Sequence, residues 1–240
     1  GTTDTPCERH NANTPSQEEK DYLINHLKRW FPTIEHPVIK SCWSGGRPLI
    51  KAEKGTPNSS RVVREHEIEI LPCGLISALG GKWTTCRSIA LDTMRAIEKV
   101  IGHPLPRQKK ISLIGASKSP GETTKLLFQQ RERLRMILPN TKLLDKQIDH
   151  LQSNYGLEAL QTISNIDKRD LEPLSEVIPL CKVEIQKFIH QEHASTTTDV
   201  LARRCRLAMV DLSEAQRLVP LVQEELIKAD LYPGDLNLEK

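Results

Sequence analysis

The stretch Gly74–Arg87 constrains the fold more than any other part of this sequence, because its pattern changes twice within a few residues. It begins as a short apolar strand, breaks at Gly80–Gly81, and opens a helix at Thr84 or Thr85. Glycine has no Cβ to block a close approach of backbone to ligand, and the first N–H groups of a helix lie at the positive end of its dipole. Lys82 adds a cation at the same place. The stretch predicts a strand–turn–helix unit suited to an anionic ligand.

The composition excludes several classes of protein. Thirty-four basic against 31 acidic residues give a net charge of +3, too mild a balance to indicate nucleic acid. Aromatic residues make up 4%, so the core is expected to rest on Leu, Ile and Val. No apolar run approaches the roughly 20 residues of a membrane helix, and the given sequence does not open on the basic-then-apolar pattern of a signal peptide. Gly1–Pro6 is expected to be an internal segment of a longer protein. The six cysteines form no C-x-x-C pair, which favours reduced thiols over zinc or disulfides.

Two halves with different patterns predict two domains. Residues 1–115 mix strands, turns and helices, whereas residues 116–240 consist of successive helical patterns. The stretch Gly102–Lys110 joins them and is rich in proline and basic residues, as linkers often are. We therefore expect an α+β protein whose second half is a small helical bundle.

The first half contains a clear helix start and two predicted strands. Ser16 and Glu19 form a capping-box pattern, so a helix is expected to begin there and to end before Pro32. Val38–Trp43 and Val62–Ile70 are typical of strands.

In the second of these strands, alternation places Arg64 and His66 on the apolar face, opposite three glutamates. A buried arginine is costly unless an anion or carboxylate satisfies it, so Arg64 is a candidate ligand-binding residue.

The remaining pattern is mostly helical. After Thr85, one stripe of a predicted helix carries Cys86, Ala90, Met94, Ile97 and Ile101, an arrangement typical of core packing. A short strand-like run and five helices follow, with Pro220 expected to kink or split the last helix: strand 111–114 and helices 122–138, 141–151, 180–190, 198–210 and 213–228.

Three cations near strand ends form the best candidate binding set. Arg47 lies in a rigid turn after a strand, and with Arg64 and Lys82 it would suit a phosphate or carboxylate, which arginine binds bidentately. Other motifs carry less weight. His190 and His193 have no third ligand at a suitable spacing for a metal, and the basic turn Arg203–Arg206 is interpreted as a set of structural ion pairs.

Motifs of several enzyme classes are missing from the sequence. It contains no G-x-S-x-G, P-loop or H-E-x-x-H motif. It also contains no G-x-G-x-x-G after a strand, so it lacks the usual means of binding a dinucleotide pyrophosphate.

Five motifs, in order, resemble FAD-dependent glycerol-3-phosphate dehydrogenases: Gly1–Pro6, Trp43–Leu49, Arg64–His66, Gly74–Arg87 and Ala202–Ala208. The similarity covers nearly the whole chain and points to the C-terminal portion of the mitochondrial branch. It implies part of the substrate sheet and the last strand and helix of the FAD domain, followed by an all-α cap domain.

The resemblance also implies an activity and a site. Glycerol 3-phosphate would be oxidised to dihydroxyacetone phosphate, with hydride passing to FAD and electrons to a quinone. Arg47, Arg64 and Lys82 match substrate-binding positions, and Gly80, Gly81, Lys82, Trp83 and Thr84 match the turn that contacts the flavin; no residue of this chain is assigned as the general base, and no metal is expected. The implied setting is the mitochondrial inner membrane, with peripheral association and a homodimer compatible with the pattern.

The sequence departs from the family at two residues and in extent. Gly46 replaces a branched apolar residue before Arg47, and Cys86 replaces a tyrosine. The family's dinucleotide fingerprint is not in these 240 residues. We therefore expect this chain alone to bind FAD weakly or not at all, and the alternative function is a non-catalytic binding or dimerisation module.

Overall fold

The computed structural model describes residue 5 and residues 7–46, 65–106 and 111–238. Arg47 and Arg64, predicted to bind substrate, lie outside the described residues, as does the run Val62–Val63. Contacts divide the chain into two compact units. The N-terminal unit comprises residues 1–35 and 44–110, and the helical unit comprises residues 36–43 and 111–240.

The first helix, α1, runs from Gln17 to Trp30 and begins as the sequence predicts. The Ser16 hydroxyl accepts the Glu19 N–H at 3.2 Å, and the Glu19 carboxylate accepts the Ser16 N–H at 3.1 Å. This reciprocal pair satisfies two N–H groups that have no partner within the helix. The capping box is confirmed, and the helix ends before Pro32.

A two-stranded antiparallel sheet follows, made of β1 (His66–Ile70) and β2 (Ile76–Gly80). The register pairs His66 with Gly80 and Ile70 with Ile76. His66 and Ile68 are half-buried while Glu67 and Glu69 are exposed, which confirms the predicted alternation for these four residues. Ile70, predicted on the same face as His66, is exposed at the end of the strand.

Helix α2 (Cys86–Ile101) packs on the sheet, through a face that only partly coincides with the predicted stripe. Met94 and Ile97 of that stripe are half-buried, but Cys86, Ala90 and Ile101 are exposed. Ala96 is buried and Ile89 approaches the glycine turn. The prediction was wrong at the two ends of the stripe because a helix has several partly apolar faces, and the position of the hairpin decides which is covered.

The predicted strand Val38–Trp43 has no regular secondary structure and pairs with no strand among the described residues. It is held instead by single contacts within the helical unit. The Ser41 hydroxyl donates to the Ala208 carbonyl at 2.5 Å, and the Lys40 carbonyl accepts the Leu212 N–H at 3.1 Å. Apolar content alone indicated a strand, and the missing ladder partner makes that prediction wrong.

The run 111–114 is likewise not a strand, and Ile111 and Ile114 are 84% and 86% exposed. The segment around Gly115 then contacts the segment around Gly156 closely, backbone against backbone. The Leu157 N–H bonds to the Gly115 carbonyl at 2.8 Å, and a Cβ on Gly156 would lie 2.2 Å from the same oxygen.

The helical unit contains α3 (Pro120–Ile137), α4 (Leu144–Tyr155), α5 (Ala159–Ile163), α6 (Lys182–His190), α7 (Leu207–Val210) and α8 (Leu212–Lys228). The predicted all-α second half is confirmed. Helix α5 was not expected from the sequence, since one short turn carries too little periodicity to detect. Helix α8 continues through Pro220, so the predicted split does not occur.

The predicted helix 198–210 is interrupted. A π-helix spans Asp199–Arg204, Arg206 adopts a left-handed backbone with φ of 62°, and α7 begins at Leu207. A π-helix has one extra residue per hydrogen-bonded loop and is found mostly as a local bulge. The apolar spacing of this segment fits a helix and carries no sign of the bulge.

Aliphatic side chains form two buried clusters in the helical unit, as the low aromatic content predicts. One cluster centres on α6, the π-helix and α8, and includes Leu180, Leu201 and Leu226. The other lies between α3, α4 and α5 and includes Leu134 and Ile148. Tyr155 packs against both clusters.

Candidate functional site

The Gly80–Gly81 turn has the left-handed backbone that its glycines permit. Gly80 has φ of 67° and Gly81 has φ of 83°, a region that other residues enter at a cost. The Gly81 N–H donates to the Glu65 carbonyl at 3.2 Å, so the turn closes directly onto the start of β1. The backbone leaves the sheet at a fixed point and turns toward α2.

Gly81 also allows close packing between the turn and α2. A Cβ at this position would lie 2.6 Å from Ile89 Cδ1 and 3.1 Å from His66 Cβ, both closer than ordinary contacts. Glycine is therefore required at this position both because Ile89 and His66 leave no room for a side chain and because φ is positive.

Residues 82–84 lead from the turn into a helix start. A short 3₁₀-helix, Trp83–Thr85, precedes α2. Within it the Thr85 hydroxyl accepts the Lys82 N–H at 3.3 Å and donates to the Lys82 carbonyl at 2.9 Å. Trp83 is 89% exposed.

The side chain of Lys82 is exposed and makes no hydrogen bond or ion pair with any residue in the described part of the chain. Its ammonium group and the N-terminal dipole of α2 give the turn a positive potential. This arrangement can stabilise negative charge on a ligand placed against the turn.

His66 and Asp92 form a polar pair next to this turn. His66 Nε2 lies 2.8 Å from Asp92 Oδ2, and Arg95 Nη1 donates to the other carboxylate oxygen at 2.5 Å. The hydrogen bond from His66 is the main cause that holds the pKa of Asp92 below its usual value, with Arg95 adding to the effect. The pair joins β1 to α2 behind the glycine turn.

The sequence located one member of this pair and missed the other. The alternation of side chains along the strand predicted His66 on the inner face, and His66 is half-buried in the structure. Asp92 was not predicted. The sequence does carry one indication of Asp92. This acidic residue lies three positions after Ile89 and four before Ala96, so it shares the side of α2 that packs against the sheet.

The structure thus brings the predicted flavin-contacting residues Gly80, Gly81, Lys82, Trp83 and Thr84 into one continuous turn. Their proposed roles stay predictions. Arg47 and Arg64 lie outside the described residues. No group of three or more metal-ligating side chains is placed around a common point in the described ranges.

Comparison with known proteins identifies the family. Residues 107–229 match the family described as the C-terminal domain of alpha-glycerophosphate oxidase. This chain belongs to that family. The match spans the described helices α3 to α8 and confirms the resemblance stated from the sequence, with the chain as a C-terminal portion.

Several curated proteins are similar to almost the whole of this chain. The chain is 30% identical over 239 residues to the mitochondrial glycerol-3-phosphate dehydrogenases of Bos taurus and Homo sapiens, which covers 93% of this chain and 31% of each relative. It is 27% identical to a probable mitochondrial glycerol-3-phosphate dehydrogenase of Dictyostelium discoideum, covering 92% of this chain and 35% of the relative. The chain therefore spans about a third of the length of these relatives. In the described ranges, no helix has both the length and the apolar character needed to cross a bilayer.

Proposed function

We propose that this chain is the C-terminal part of an FAD-dependent enzyme that oxidises glycerol 3-phosphate to dihydroxyacetone phosphate. The observation that carries the proposal is the similarity, over 93% of the chain, to proteins named as glycerol-3-phosphate dehydrogenases. The exposed, cationic glycine turn supports it, because an anionic substrate and a reduced flavin both carry negative charge that such a turn would stabilise.

The residues of the turn fit one edge of a flavin. Gly80 and Gly81 present backbone without side chains, and Lys82 has no partner among the described residues. In this proposal Gly80, Gly81, Lys82, Trp83 and Thr84 hold the flavin ring and ribityl chain. Bound FAD supplies a hydride acceptor, from which electrons pass on to a quinone.

The substrate phosphate is assigned to Arg47, Arg64 and Lys82. Guanidinium groups bind phosphate oxygens in pairs, and an ammonium group adds a mobile point charge. The assignment of the two arginines rests on the resemblance of their motifs. Lys82 is supported further by its exposure beside the helix start.

His66 and Asp92 are proposed as positioning residues and are given no chemical step. Their bond ties β1 to α2 on either side of Gly81. By fixing these two elements, the pair would keep Lys82 and the start of the helix at a constant distance from the sheet.

The proposed setting is mitochondrial, with peripheral association at the inner membrane. Support comes from the relatives, whose names place them in the mitochondrion. A homodimer is part of the same proposal.

A chimera tests the function. This chain would replace the segment with which it aligns in the human relative, and the product would be assayed for flavin absorbance and for dye-coupled oxidation of glycerol 3-phosphate. We expect a flavoprotein with activity. A flavin-containing chimera without activity would contradict the enzyme proposal and favour the binding or dimerisation module. A folded chimera that lost flavin would contradict the assignment of the turn.

Two substitutions in the active chimera test the substrate site. Arg64→Ala should raise KM by about 10–100-fold, since a charged hydrogen bond to the phosphate is lost. Lys82→Ala should lower kcat/KM, whereas Lys99→Ala, an exposed cation in the last turn of α2, should leave both constants unchanged. An unchanged KM in the Arg64 variant would remove that residue from the pocket.

A further inference from the structure

The helical unit contains a surface cavity of about 540 Å³, which is broadly open to solvent and is lined only by residues of this unit. One wall is the exposed side of α4, and the opposite wall is the corner where the π-helix meets α7. Val177, Ile178 and Trp43 supply apolar surface. This volume lies in the range of small-molecule sites, about 300–1,000 Å³, which combine apolar lining with a few polar groups.

Arg206 stands at this corner in a strained conformation. Its φ of 62° and ψ of 15° place a non-glycine residue in the left-handed region, at a cost on the order of 1 kcal/mol. The other two arginines of the basic turn have partners: Arg203 bonds to Asp199 at 2.8 Å, and Arg204 donates to the Glu192 carbonyl at 2.6 Å.

Arg206 lines the cavity and is exposed, and its guanidinium has no hydrogen-bond or ion-pair partner within the described ranges. Strained residues often mark ligand-binding sites, because the strain is retained where it places a functional group. The interpretation of the basic turn as structural ion pairs therefore fits Arg203 and Arg204 but not Arg206.

His150 is fixed on the opposite wall. Its Nε2 lies 2.8 Å from Glu184 Oε1, and Glu184 is fully buried. The Tyr155 hydroxyl donates to the same oxygen at 3.0 Å. Asn154 Nδ2 lies 3.1 Å from His150 Nδ1, so both ring nitrogens have partners. These bonds hold the imidazole in one orientation, where it shapes the wall of the cavity without donating to a ligand.

The charges around the cavity favour an anion. Lys146 lies one helical turn before His150 on α4 and lines the same cavity. Asp149 also lines it, but its carboxylate is neutralised by Arg131 at 2.5 Å. The Lys146 ammonium donates to the Glu176 carbonyl and keeps two further N–H donors and its charge. Two cationic side chains thus line a space whose acidic group is already paired.

We propose that this cavity binds a small organic anion, whose phosphate or carboxylate contacts Arg206 and Lys146. Its apolar part would lie against Trp43, Ile178 and Met209. The guanidinium can bind two oxygens of either group, and the ammonium adds a charge that does not depend on geometry. The site is independent of the proposed dehydrogenase activity, because all its residues belong to the helical unit.

Calorimetric titration of the 240-residue chain tests the proposal with four probes. Phenyl phosphate combines a charge with an apolar ring, benzoate replaces phosphate by carboxylate, inorganic phosphate lacks the ring, and phenol lacks the charge. We expect phenyl phosphate to bind more tightly than inorganic phosphate, and phenol not to bind. Binding of benzoate that matches or exceeds phenyl phosphate would identify a carboxylate as the ligand group and support the anion site.

Arg206→Gly is the decisive variant because glycine accepts a positive φ. The variant should bind phenyl phosphate at least about tenfold more weakly, because the guanidinium is lost. The midpoint of thermal unfolding should stay the same or rise, because the backbone strain is removed. Arg133→Ala, which removes an exposed arginine of α3 outside the cavity, should leave affinity unchanged. Absence of phenyl phosphate binding, equal binding of phenol, or unchanged affinity in Arg206→Gly would each overturn the proposal.

Discussion

His66 Nε2 lies 2.8 Å from Asp92 Oδ2, and this bond joins the first strand of the hairpin to the helix that follows the glycine turn. The two residues are far apart in sequence, and their contact closes the β1–β2–α2 unit across Gly81. A turn built from two glycines has little conformational restraint of its own. The pair provides restraint from outside the turn, which links the local geometry of Lys82 to the packing of α2.

The pH dependence of stability should report this pair. The His66 hydrogen bond holds the pKa of Asp92 below the ordinary 3.8, so the contribution to folding is present above that pH and is lost as pH falls through the lower folded value. Asp92→Asn should therefore be less stable than the native chain at neutral pH, with the difference shrinking below pH 3.8. Urea unfolding across this range measures it. Asp21→Asn, at an exposed position of α1, is the control; a pH-independent difference for Asp92→Asn would contradict the prediction.

Gly81→Ala should destabilise the chain. The new methyl would meet Ile89 and His66, and the residue would carry φ of 83°. Left-handed strain alone costs about 1–2 kcal/mol, to which displacement of Ile89 adds. Urea unfolding gives the free energy of unfolding. Gly121→Ala, where the methyl meets no atom within 4 Å and φ is not positive, should be neutral or slightly stabilising. Equal effects at the two sites would show that the turn is not tightly packed.

Local rules predicted the features that depend on neighbours in sequence. The Ser16 capping box, the break at Gly80–Gly81 and the longer helices of the second half, α3, α4, α6 and α8, follow from short-range hydrogen bonding and periodicity. Features that depend on distant contacts were missed. Val38–Trp43 has strand-like composition but no ladder partner in the described ranges, and the covered face of α2 is decided by the hairpin.

The same distinction holds for the site. The turn that carries Lys82 was predicted because glycines and a helix start are local signals. Asp92 was missed because only tertiary packing brings α2 against His66. The left-handed backbone of Arg206 was missed for a further reason. Arginine gives no indication of a positive φ, and here the conformation is set by the junction between the π-helix and α7.

Thiol reactivity should divide the cysteines by burial. Burial raises the pKa of Cys205 to about 12, and burial together with the Glu184 carboxylate raises the pKa of Cys181. Since the thiolate is the reactive form, both should resist a disulfide reagent until the chain unfolds. Mass spectrometry after brief labelling should find the exposed thiols modified first: Cys7, Cys73 and Cys86. Native labelling of Cys205 as fast as Cys7 would contradict the buried position.

Glu184 should be the most sensitive polar position of the helical unit. Its carboxylate is fully buried and accepts the Cys181 N–H at 2.9 Å as well as bonds from His150 and Tyr155. Glu184→Ala leaves these donors without their acceptor, and a buried polar group without a partner costs about 1–3 kcal/mol.

Glu184→Gln should cost less than Glu184→Ala, because the amide keeps one oxygen acceptor but turns an N–H toward the Cys181 donor. The free energy of unfolding in urea measures both variants. Glu176→Ala is the matched control, since Glu176 is 69% exposed and its bond to Lys142 is a surface ion pair, worth about 0–1 kcal/mol. If Glu184→Ala and Glu176→Ala had similar effects, the buried carboxylate would not organise α4 and α6, and the fixed orientation of His150 beside the cavity would lose its support.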